Sequence, residues 1–160
     1  MECFKTFRKA PPSQLIMTLL VKNEESMLEE NLLFHKAMGV DSFIITDNNS
    51  TDSTPEIIRK YKQKGWIKEV IEEKATDYEQ KEWVDRMIWK AKTIYKADWI
   101  INADADELWY SPSGNLKTDL SATHANVLNC EMRSVYPEEN RPFWQWDKVV
   151  RPVSEPERYD

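Results

Sequence analysis

Glycine is scarce in this chain, with three residues in 160, and cysteine is scarcer still, with two. So little glycine, with none near Val21, leaves no place for a glycine-rich phosphate loop after the first apolar run. Cys3 and Cys130 are too few and too far apart for a disulfide framework or a zinc site. No apolar run approaches the ~18 residues of a membrane span. No charged-then-apolar leader opens the chain either, so a cytoplasmic location is expected. A basic stripe is also missing, and the formal charge of −6 argues against a nucleic-acid partner. Acidity does not exclude a phosphate ligand, because a divalent cation can bridge carboxylates to it.

Apolar residues make up 41% and charged residues 31%, the balance of a globular domain with a real core. The seven Trp are a heavy aromatic load, expected chiefly in core and interface positions. Residues 15–21 form an apolar run of strand length, as a central strand buried on both faces requires. A helix is expected over 24–38, with acids in its first turn and Gly39 just past its end. Strands follow at 42–46, 66–71 and 99–102, with helices between them at about 54–64 and 79–96. Ser53 with Glu56 as a capping box, or Thr54 followed by Pro55, would start the second helix. Trp83, Met87 and Ala91, with Ile94 or Tyr95, give the third helix its apolar stripe. Strands alternating with helices predict a parallel sheet, whose ligands sit beyond the carboxyl ends of the strands. After Tyr110 the pattern changes: 127–136 alternates as a longer strand, and 148–150 reads as another.

Three loops leave the strand ends with chemistry to offer. Asp104, Asp106 and Glu107 place three carboxylates within four residues directly after a buried strand. Such charges repel unless a cation or solvent relieves them, and a hard divalent ion takes one or two carboxylates plus substrate phosphates. Asp-x-Asp alone is a weak signal; its place at the end of the fourth strand is what strengthens it. Calcium-loop spacing fails, since an EF-hand from Asp47 needs Gly where Asp52 stands and Glu where Ile58 stands. Asp47 could accept hydrogen bonds from a base or a ribose, whereas Asp52, Ser53 and Thr54 suit a turn and a helix cap. Lys22-Asn23-Glu24-Glu25, read by itself, is a helix start with acids at the positive pole.

Taken in order, Leu-Leu-Val-Lys-Asn-Glu-Glu, then Asp-Asn-Asn-Ser-Thr-Asp-Ser-Thr, then Trp-Ile-Ile-Asn-Ala-Asp-Ala-Asp-Glu-Leu resemble the family 2 glycosyltransferases and their relatives, the family 2-like and family 92 group. The likeness covers about residues 15–109; each block is common, and the three in sequence are specific. It implies the GT-A fold, an αβα sandwich with a mostly parallel central sheet that binds a nucleotide-diphosphate sugar. It also implies one domain over 1–160, with 15–110 as the donor half and 111–160 as the start of an acceptor half. By the same resemblance, Val21, Asn23 and Glu24 line the base and ribose, and Asp47 binds the base, typically uracil. Asp104 faces the ribose and diphosphate and joins Asp106 as a ligand of Mg²⁺ or Mn²⁺. Glu107 extends the motif, and Arg86 and Gln80 are further candidates for pyrophosphate or sugar contact.

The expected activity is transfer from a UDP-sugar, with inversion, to a glycan, lipid or protein acceptor. Relatives supply the base, and often a His metal ligand, after a segment like 147–152. Neither His35 nor His124 is placed for that ligand, no catalytic base is assigned, and the domain is expected to be truncated at its C-terminal side. Two other classes compete. A sugar nucleotidyltransferase shares the sheet but needs the glycine-rich loop that is missing. A non-catalytic carbohydrate- or nucleotide-binding domain could use Trp144 and Trp146 as a stacking platform.

Overall fold

The computed structural model describes residues 13–74 and 80–123, and beyond them 125–128, 130–136, 138–142 and 145–146. The elements run β1 (Leu15–Val21), α1 (Leu28–Ala37), β2 (Ser42–Asp47), α2 (Thr54–Gln63), β3 (Ile67–Glu72), α3 (Gln80–Thr93), β4 (Trp99–Ala103) and α4 (Leu116–Ser121). The four strands pair in parallel in the order β3-β2-β1-β4, so the expected α/β class holds. The chain divides into two compact units, 1–123 and 124–160, and all these elements belong to the first.

Successive strand side chains point to opposite faces, and here that alternation builds two cores. Leu15, Met17, Leu19 and Val21 of β1, with Phe43 and Ile45 of β2, pack against Leu28 and Leu32 of α1 and Ile58 and Tyr61 of α2. Ile16 and Ile44 face the other way, onto Met87 and Ala91 of α3. Helices therefore cover both faces, and β1 is buried along nearly its whole length. No described helix is long and apolar enough to cross a membrane. Trp83 is buried, Trp66, Trp99 and Trp109 pack at the core margin, and Trp89 stands 60% exposed.

Strand positions follow the sequence closely; the helix ends do not. α1 begins at Leu28 instead of residue 24, because 23–25 exchange hydrogen bonds with the next loop. α2 begins at Thr54 followed by Pro55, with Ser53 at the N-cap as one reading expected, but the capping-box bond is missing. Asp52 Oδ1 accepts the Thr54 N–H at 2.9 Å. α4 was not expected. Asn115 caps it by accepting the Thr118 N–H, and the Leu116 N–H donates to the Met38 carbonyl at 2.8 Å. Gly39 is required there: its φ is +96°, and a Cβ would lie 2.8 Å from the Asn115 side chain.

The strand expected over 127–136 does not form. Among its described residues only Val135 makes a bridge, and Val127 and Met132 are 85% and 80% exposed. Alternation marks a strand only where a neighbouring strand can take up its backbone groups. The expected strand at 148–150 lies outside the described residues.

One buried hydroxyl offers a test of the α3-side core. Thr46 is fully buried, and its Oγ1 has no hydrogen-bond partner among the described residues. A buried polar group without a partner carries its desolvation cost, and an apolar group of the same shape removes it. Thr46→Val should stabilise the domain by about 1 kcal/mol in urea unfolding. A loss of stability instead would mean that the hydroxyl has a partner.

Candidate functional site

β1 lies between β2 and β4, so the chain leaves β1 on one side and returns to it on the other. The carboxyl ends of β1 and β4 thus flank a topological switch point, where open α/β sheets bind ligands. The register fixes what arrives there. Val21 pairs with Asp47, and Leu19 pairs with Ala103, so residues 22–24 and 104–106 leave the sheet side by side.

Between these loops lies a hollow of about 390 Å³, lined among others by Val21, Lys22, Glu24, Gln80, Asp104 and Asp106. Asp104 and Asp106 are exposed, while Ala105 between them is buried. The turn closes on itself: the Glu107 N–H donates to the Asp104 carbonyl, and Glu107 Oε2 accepts the Asp104 N–H at 3.3 Å. Glu107 therefore braces the turn. Burial, and then the charges of Asp106, Asp52 and Asp104, hold the Glu24 carboxyl above the usual carboxylate range. Among the described residues no Lys or Arg forms an ion pair with Asp104 or Asp106. No three His, Cys, Asp or Glu side chains converge as a metal cage among those residues either. Two outward carboxylates under mutual repulsion suit an ion that takes part of its shell from a phosphate.

The other expected residues sit around this hollow with different partners. Asp47 faces a neighbouring hollow of about 460 Å³, beside Arg59, Lys62 and Glu72. Its Oδ1 accepts from the Ser50 N–H at 3.1 Å and the Ser50 hydroxyl at 2.6 Å. Asn23 adopts a left-handed φ of 57°, tolerable for asparagine. Its N–H donates to Ser50 Oγ and its Oδ1 accepts the Thr51 N–H at 2.8 Å, tying the first loop to the second. Arg86 of α3 is paired with Glu73 at 2.7 Å. Trp144 lies outside the described residues, as does the segment 147–152; the indole N–H of Trp146 donates to the Arg141 carbonyl.

Sequence reasoning missed Lys22 and Asn48, both of which line the first hollow. It also missed Asn31 and His35 of α1, which are fully buried behind the acidic turn. The signal for that pair was present: two polar side chains four residues apart on the face that carries Leu28 and Leu32.

No curated protein matches the chain. Among solved structures, a mannosyltransferase from Pyrobaculum calidifontis in complex with GDP-Man and Mn²⁺ is similar, with a TM-score of 0.48 and 18% identity. That match covers 64% of this chain and 30% of the mannosyltransferase, so the chain spans under a third of that protein's length. The glycosyltransferase family 92 model matches residues 17–142, a stretch that includes every residue named in the first hollow, and the chain belongs to that family.

Proposed function

We propose that this domain binds a nucleotide-diphosphate sugar, preferentially a UDP-sugar, in the hollow between β1 and β4. It serves as the donor half of an inverting glycosyltransferase whose acceptor is a glycan, lipid or protein. The observation that carries the reading is the meeting of Glu24, Asp104 and Asp106 at the switch point, where among the described residues no Lys or Arg is ion-paired with either aspartate. Family membership supports the transfer chemistry.

In this reading Asp104 and Asp106 hold Mg²⁺ or Mn²⁺, which supplies positive charge to a departing nucleoside diphosphate. Val21 forms the apolar floor, and Lys22 stands at the mouth, where an ammonium can meet phosphate oxygens. Glu24, which lines the same hollow, would hydrogen-bond the ribose hydroxyls. Asp47 already accepts two hydrogen bonds from Ser50 and has lone pairs left for a base N–H. Arg86 reaches the donor only by exchanging Glu73 for a phosphate.

The test is thermal unfolding with UDP or GDP, each with and without Mn²⁺. UDP with Mn²⁺ at about a hundredfold over its Kd should stabilise the domain by about 2.7 kcal/mol. Asp106→Ala or a chelator should abolish the effect. Stabilisation by nucleotide that ignores both would sink the metal reading, and a preference for GDP would correct the base.

A further inference from the structure

We propose that Asn31 and His35 of α1 are positioning residues that hold the 104–109 turn so that Asp104 and Asp106 face the donor while Ala105 stays in the core. This rests on the reading of the first hollow as a metal–diphosphate site. The sheet cannot do the holding itself, because the last β1–β4 pair is Leu19 with Ala103 and residues 104–109 pair with no strand among the described residues. Side chains from the helix behind the turn take over.

Asn31 Nδ2 lies 2.9 Å from the Ala105 carbonyl and 3.0 Å from that of Glu107, with Asp104 O farther off at 3.5 Å. His35 Nε2 accepts the Trp109 N–H at 2.9 Å. A ring nitrogen that accepts there must be bare, so the proton sits on Nδ1 and is donated to Asn31 Oδ1 or its carbonyl, both at 2.9 Å. The bonds therefore run from the Trp109 amide through the imidazole to Asn31, whose carboxamide N–H groups reach two carbonyls of the acidic turn. They leave no choice in the Asn31 amide orientation or in the His35 tautomer. Every backbone group they grip belongs to 104–109 or to α1 itself. Both side chains are 0% exposed, and a low local dielectric strengthens the hydrogen bonds they make.

Gripping the Ala105 and Glu107 carbonyls fixes which way Asp106, the residue between them, points. Without Asn31, the carbonyls of buried Ala105 and half-buried Glu107 lose this donor, and the turn reorients to find another. The spacing of the two carboxylates then becomes a distribution, and an ion that needs both finds them together less often.

Mn²⁺ affinity measured by electron paramagnetic resonance in the presence of UDP, well below each melting temperature, separates positioning from mere stability. Asn31→Ala and His35→Ala should each weaken Mn²⁺ by about tenfold or more, as for other groups that orient metal ligands. His35→Gln should recover part of that loss, since its carboxamide oxygen can accept the Trp109 N–H. Wild-type affinity in both alanine variants, with Asp106→Ala still defective, would overturn the positioning role and leave the metal reading standing. Absence of Mn²⁺ binding by the unmutated protein would remove both. Should the alanine variants not fold, the unmutated protein still decides. Its Asn31 side-chain amide resonances should shift on adding Mg²⁺ with UDP, and unmoved resonances would refute the coupling.

Discussion

Replacing Tyr61 by alanine should remove about 4 kcal/mol of stability, while replacing it by phenylalanine should remove only about 1 kcal/mol. The two substitutions divide the residue into a ring and a hydroxyl. The ring is 1% exposed at the junction of α1, α2 and the sheet, and its centroid lies 5.0 Å from that of Trp66. Truncating a buried aromatic loses its transfer energy and leaves a cavity that close-packed neighbours fill incompletely. The hydroxyl donates to Glu29 Oε1 at 2.8 Å, but Glu29 also takes Lys60 and is partly solvated, so water can replace part of that bond. Burial therefore dominates. Domains of this size are stable by only about 5–15 kcal/mol, so the alanine variant should approach the unfolding threshold in urea. Equal losses from the two variants would show that the link to Glu29, and not packing, holds α2 in place.

The sequence was legible where one physical demand governed each residue. β1 matched its expected bounds because a strand covered on both faces must be apolar throughout, and the Trp83–Met87–Ala91 stripe is buried because a helix over a sheet needs it. Legibility failed where a side chain serves a partner distant in sequence. Glu25 reads as an acid in a first helical turn. In the fold its carboxylate accepts the Ser53 N–H at 2.9 Å, and its own N–H donates to Asp52, so two loops are stapled and the helix starts later. Residues 127–136 carry alternation, yet among the described residues they form only the bridge at Val135. The placing of Asp104 and Asp106 just past β4, at the carboxyl edge of the sheet, was readable from the sequence. The devices that set its geometry, Asn31, His35 and the back-folded Glu107, depend on contacts that spacing alone does not reveal.

Acid should unfasten this same turn before it titrates the other native contacts. Burial holds the His35 imidazole at a pKa of about 4, well below its ordinary 6.5, and the hydrogen bond to Asn31 offsets this only in part. Between those values the unfolded chain binds the proton and the folded chain does not, so stability is full above pH 6.5 and falls as pH drops toward 4. At about 1.4 kcal/mol per unit, the loss across that window comes to about 3 kcal/mol. The direction follows from the bonds: a proton on Nε2 would confront the Trp109 N–H, which needs an acceptor there. Glu29 and Glu69 are held below their usual range, so their stabilising contributions disappear only at more acid pH. Glu24 is held above its usual range and opposes the trend, gaining protons in the folded state as pH falls. Comparison with His35→Gln separates these contributions. The unmutated protein should lose stability steeply from pH 6.5 to 4, whereas the glutamine variant, starting lower, should follow a flatter curve over that range. Parallel curves would place the acid sensitivity elsewhere and show that the buried imidazole accepts its proton without disturbing the turn.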